Sequence, residues 1–170
     1  MKVKKGFTLI ELLIVIAIIG VLSVAFLPSL LGAPSKGRDT TRMAQIQKIE
    51  NFLVTESLAN NTLPASGCVG GSTAIATLIE SNLPDFGGVF PIDPQDGNNV
   101  KVGSTTCTGG AYGYINLDSA SGYSAAIFAK VENPENANAA CDTAAAWSAA
   151  TPTISGGYSG SNGCYAALLQ

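Results

Sequence analysis

Three sets of side chains in this sequence could do chemistry. The first is a single residue, Glu11, the only charge in the apolar run of residues 7–31, FTLIELLIVIAIIGVLSVAFLPSLL. An ionised carboxylate in hydrocarbon costs roughly 2.5 kcal/mol or more unless a cation neutralises it. The nearest cation in its own helix is Lys5, six positions back and off the i,i+3 and i,i+4 spacings that bring side chains together. Glu11 therefore asks for a cation on another molecule, unless it lies near the headgroups and snorkels. The second set is Cys68, Cys107, Cys141 and Cys164, an even number without a C-x-x-C pair or a compact metal-ligand spacing. They read as two disulfides formed in an oxidising compartment, against the alternative of four buried thiols. Three pairings are possible, and Cys68 with Cys107 and Cys141 with Cys164 closes the smallest loops. The third set is Asp93 and Asp96 in residues 90–99, FPIDPQDGNN. Carboxylates and Asn oxygens suit Ca²⁺, although the spacing is not that of an EF-hand and the same residues are ordinary turn formers. No other cofactor is expected.

Much chemistry is excluded. The 170 residues contain no His, which removes imidazole bases, Ser/His and Cys/His nucleophiles and His-bearing zinc sites. There is no G-x-S-x-G and no phosphate-binding glycine loop, so no enzymatic activity is expected. Net charge is −3, and without Lys2, Lys4 and Lys5 six Lys/Arg would face twelve Asp/Glu. Such a surface does not favour nucleic acid.

The elements around these residues follow from periodicity. Residues 7–31 make 25 positions, which at ~1.5 Å each exceed the ~30 Å of hydrocarbon in a bilayer and predict a membrane-spanning helix. Three basic residues before it balance Lys36, Arg38 and Arg42 after it, so the cysteines decide the orientation and place the C-terminal part outside the cytoplasm. The run GAPSKG at 32–37 predicts a break, after which Asp39 or Thr40 would cap a second helix to about Ala59 with Met43, Ile46, Ile49 and Leu53 on one face. Residues 72–81 read as a short helix, and 111–117 and 123–131 as two strands joined by a hairpin loop. From about Asn133 the chain is rich in Ala, Asn, Ser and Gly without a period, and reads as a surface loop closed by Cys141 and Cys164.

Residues 4–22, KKGFTLIELLIVIAIIGVL, closely resemble the N-terminal signature of type IV prepilins and type II secretion pseudopilins. The resemblance implies a leader, residues 1–6, cut after Gly6 by a prepilin peptidase that then methylates the new N-terminal Phe7. It further implies that Glu11 meets the N-terminal amine of a neighbouring subunit, which supplies the missing cation. Pro28 stands where many members carry Pro, and its missing N–H would kink or locally melt the helix. Gly20 and Ser23 are small enough to let helices approach. Residues 90–99 also loosely resemble the Asp-Pro turn of major pseudopilins, some of which bind calcium nearby.

The expected fold is thus α+β and pilin-like: a leader at 1–6, a membrane-spanning and filament-core helix at 7–31, and an extracytoplasmic globular domain at 32–170. In that domain a helix packs on a small antiparallel sheet, with a disulfide-closed C-terminal loop. The expected function is that of a structural subunit of a pilus or periplasmic pseudopilus, held first as a single-pass precursor in the bacterial inner membrane. Its expected partners are identical or related subunits, the prepilin peptidase and an inner-membrane assembly platform. The alternative is a low-abundance subunit at a filament tip acting as an adhesin or binding module, with Trp147, Tyr158 and Tyr165 as candidate contacts.

Overall fold

A computed structural model describes residues 6–95, 97, 99–103, 105–117, 124–140 and 163–169, the side chains at 25, 27–31 and 140 excepted. The chain divides into two units, Met1–Ser35 and Lys36–Gln170. The first contains α1 (Leu9–Leu31), whose helical backbone continues through Pro28. Gly32 is a single turn residue before α2 (Ala33–Asn60). The break expected over 32–37 is therefore confined to one residue. Pro34 falls in the first turn of α2, where a missing N–H leaves no bond unmade. The Thr40 and Thr41 hydroxyls donate to the carbonyls of Lys36 and Gly37, so these polar residues support the helix instead of starting it.

The second unit is a helix-on-sheet domain. The predicted face of α2 is buried through Ile46, Ile49 and Leu53, with Met43 half-buried. After β1 (Gly67–Val69) comes α3 (Ala74–Ser81), capped by Thr73, whose hydroxyl accepts from Ala76 N at 3.2 Å and donates to Cys68 O at 2.6 Å. That one side chain starts the helix and ties it to the strand. A 3₁₀ turn at Leu83–Phe86 leads through the 90–95 loop to a hairpin, β2 (Val100–Val102) and β3 (Thr105–Cys107). The main sheet is antiparallel in the order β1, β4 (Tyr112–Asn116), β5 (Ala125–Lys130), β7 (Gly163–Leu169), β6 (Ala139–Ala140). The loop expected between β4 and β5 lies outside the described residues.

Both faces of this sheet are covered. Tyr112, Tyr114, Ala125, Ile127, Ala129, Ala167 and Leu169 point toward α2 and α3, while Ile115, Ala126, Phe128, Cys164 and Ala166 join Cys68, Val100 and Cys107 on the other side. Burial on two faces explains why β5 and β7 read as near-continuous apolar runs. It also overturns, at residues 139–140 and 163–169, the expectation of a surface loop. Residues 163–169 form an interior strand, paired with β5 from Ala125↔Leu169 to Lys130↔Cys164. Its alanines let a covered strand pack closely, which is why no half-exposed alternation marks it. Gly113 pairs with Phe128, and a Cβ there would lie 2.3 Å from the ring, so the aromatic occupies the space that the glycine leaves.

Candidate functional site

The N-terminal segment is built around a capping box. Thr8 Oγ1 accepts from Glu11 N at 3.3 Å, while Thr8 N and Thr8 Oγ1 donate to Glu11 Oε2 at 2.9 and 2.7 Å. Thr-x-x-Glu before an apolar run is the sequence signal of a helix start, and it identifies Thr8, which the reading of Glu11 alone passed over. In the isolated subunit Glu11 thus engages its own helix N-terminus. Beyond it the described side chains of α1 carry no further charge and are mostly apolar: Phe7 is 86% exposed, Leu9 83%, Val21 74% and Val24 74%, and Ile14, Ile16 and Ile18 are exposed as well. An apolar surface on every side of a helix requires cover from lipid or protein. The Ser23 hydroxyl is returned to Ile19 O at 2.7 Å, and Gly20 faces open space outside its own helix backbone, so both keep a small profile. Gly6 is exposed, and Met1 to Lys5 of the expected leader lie outside the described residues. Among the described residues no helix is long and apolar enough to cross a membrane, so the spanning reading rests on the sequence of 7–31.

A second constellation lies inside the domain, on the buried face of α2. Arg42 is 0% exposed, as is Asp39, and Asp93 is 6% exposed. Arg42 Nε and Nη2 donate to Asp93 Oδ2 and Oδ1 at 2.7 and 2.8 Å, and Arg42 Nη1 reaches Asp39 Oδ1 at 2.6 Å and Glu132 Oε1 at 2.8 Å. Arg38, nearer the surface, donates from Nε to Glu132 Oε1 at 2.7 Å. Asp39 was a candidate cap; it is instead an acceptor for Glu132 N, Asn133 N, Asn133 Nδ2 and Asn136 Nδ2, each at 2.9 Å. Burial alone would raise the Asp39 carboxyl and lower Arg42, but these hydrogen bonds reverse both, holding Asp39 below and Arg42 above the usual range. Glu132 is likewise lowered, first by its bond from Arg38. Among the described residues every buried side-chain nitrogen and oxygen has a partner. Both oxygens of Asp93, a candidate calcium ligand, are therefore taken up by Arg42, with Gln95 N adding a bond at 2.8 Å. Asp96 lies outside the described residues, and among them no group of three or more metal-ligating side chains is placed to hold an ion.

The expected pairing of Cys68 with Cys107 is present and bridges β1 to β3. Cys164 is also disulfide-bonded, while Cys141 lies outside the described residues. Of the aromatic residues considered for a tip contact, Tyr165 sits half-buried on β7 against the core, and Trp147 and Tyr158 lie outside the described residues.

Residues 1–27 match the family described as the prokaryotic N-terminal methylation motif. The chain is 36% identical over 109 residues to the type II secretion system core protein G of Escherichia coli, covering 58% of this chain and 72% of that protein. It is 35% identical over 109 residues to the type IV major fimbrial protein FimA of Dichelobacter nodosus, covering 59% and 67%. Over 62 residues it is 44% identical to the type IV wide pilus major component PilA4 of Thermus thermophilus, a match that spans 36% of this chain and about half, 47%, of PilA4. No solved structure matches significantly. The chain belongs to the family of type IV pilins and type II secretion pseudopilins.

Proposed function

We propose that this protein is a structural subunit of a type IV pilus or a type II secretion pseudopilus, and that it acts by assembly, without catalysis. The observation that carries the reading is the exposed apolar circumference of α1 with one carboxylate at its start. Before assembly the helix is covered by lipid as a single inner-membrane span; afterwards it is covered by the helices of other copies in an open-ended helical array. The prepilin peptidase removes residues 1–6 and methylates Phe7, and an inner-membrane platform draws the subunit out of the bilayer. Glu11 then exchanges its bonds from Thr8 for the amine of a neighbour's Phe7. A carboxylate satisfied in this way fixes the axial register between subunits. Pro28 leaves the Val24 carbonyl without its helical donor and gives the helix a place to bend while packing.

The relatives named above are components of both machines at nearly equal identity, so the common part of the proposal is the filament. They are named as core or major components, which favours a repeated subunit over an adhesin at the tip. Intact-mass and N-terminal peptide analysis of the filament fraction tests the reading. A chain beginning at N-methylated Phe7 is expected. A chain beginning at Met1 in cells with active peptidase would overturn it.

A further inference from the structure

The oxygens of three carboxylates converge on one guanidinium inside the domain, and the segments that carry them are far apart in sequence. Asp39 lies on α2 with Arg42, Asp93 lies in the loop before β2, and Glu132 opens the turn after β5. Clusters of carboxylate oxygens and Asn side chains from separate loops are the usual surroundings of a divalent cation. Here each oxygen already receives an N–H. Asp93 Oδ1 takes Arg42 Nη2 and Gln95 N, and Oδ2 takes Arg42 Nε. Asp39 Oδ1 takes Arg42 Nη1 and Glu132 N, and Oδ2 takes Asn133 and Asn136. Glu132 Oε1 takes Arg42 Nη1 and Arg38 Nε, and Oε2 takes Arg38 Nη2.

We propose that Arg42 is a built-in cation of this cage: its guanidinium, in place of a metal ion, locks the Asp93 loop and the Glu132 turn onto α2, so the docking of both is independent of divalent cations. The fork geometry explains the choice of residue. Arg presents five N–H groups in a plane and can serve three carboxylates at once, whereas Lys has three donors on one nitrogen. Loss of the guanidinium leaves the buried carboxylates Asp39 and Asp93 beside the partly exposed Glu132, which keeps only Arg38; this raises the energy of the docked state and creates a site that a small divalent cation would occupy. The device goes beyond the filament reading, because it concerns only the unit Lys36–Gln170 and holds whether or not the chain assembles.

The test uses the full-length protein in detergent micelles, with thermal unfolding and amide hydrogen exchange at Gln95, Glu132 and Asn133. For the wild-type chain neither EDTA nor millimolar Ca²⁺ should change the midpoint or the exchange rates. Arg42→Ala should lower the midpoint by on the order of 10 °C, and millimolar Ca²⁺ should restore part of the loss. Arg42→Lys keeps the charge without the fork and covers the case in which the alanine variant fails to fold. It should remain folded, exchange those three amides at least about tenfold faster, a 1.4 kcal/mol effect, and respond less to Ca²⁺ than Arg42→Ala. Faster exchange of the wild-type amides in EDTA, an Arg42→Ala midpoint equal to wild type, or Arg42→Ala destabilised with no response to Ca²⁺ would each overturn the proposal.

Discussion

The two units of this chain invert each other's distribution of polarity. In α1 the apolar side chains are outside, with Leu9 83% and Val24 74% exposed, whereas in the domain the charged residues Arg42 and Asp39 are 0% exposed. Each inversion is costly in water for a lone element, but the costs are met differently. The domain meets its own: Arg42, Asp39, Asp93 and Glu132 satisfy one another, and both faces of the sheet are covered. The helix satisfies only its first turn, through Thr8 and Glu11, and leaves its apolar circumference for something else to cover. Dependence on a partner is thus concentrated in one segment, which is what a subunit that folds first and assembles later requires.

The comparison can be broken at the domain first. Replacing Cys68 and Cys107 together by Ser opens a link across 39 residues, and loop-closure entropy predicts a loss of roughly 4 kcal/mol. Denaturant unfolding should show the midpoint falling while filament formation by the surviving folded protein is retained. Next in size is Ile49→Ala, which leaves a cavity under the sheet and should cost about 3 kcal/mol in the same assay. Its counterpart in α1, Val21→Ala, removes a side chain that is 74% exposed. It should leave domain stability unchanged and lower filament yield. Equal effects of the two on unfolding would erase the distinction between the units.

Acid provides a graded test. Asp39 and Glu132 have folded pKa values below their ordinary 3.8 and 4.5. Their contribution to stability is therefore complete above that range and is lost as pH falls below it through the lower folded values. Thermal midpoints should be flat near pH 6 and drop below about pH 4, and Glu132→Gln should reduce the steepness of the drop. The smallest expected effect is Thr8→Val, which removes a cap worth about 1 kcal/mol of helix stability. It should leave the domain intact and loosen the first turn of α1, read as faster amide exchange there.

The sequence was most legible where a residue pattern reports one environment. The face of α2, the short helix after residue 72, the first disulfide and the strands β4 and β5 are all apparent in the sequence, because period and loop length each have a local cause. What escaped had causes elsewhere in the chain. Strand β7 is covered on both sides, so its alternation is hidden and Ala-rich residues resemble a loop. α2 starts at Ala33, earlier than the run at 32–37 suggests, because Pro34 and Ser35 are tolerated in a first turn. Arg42 reads as a flanking charge for membrane orientation, although Asp39 and Arg42 continue the 3 and 4 spacing of Ile46, Ile49 and Leu53. A charge in phase with an apolar face is a signal of a buried ion pair, and here it pointed to the centre of the domain.

Under the proposed function, assembly resides in α1 and depends on Glu11. The most direct measurement is electron microscopy of filaments from cells in which Glu11→Leu replaces the wild-type chain, with the Cys68–Cys107 disulfide monitored as evidence of a folded domain. A folded, membrane-held subunit and no filaments are expected. Filaments at wild-type abundance would contradict this.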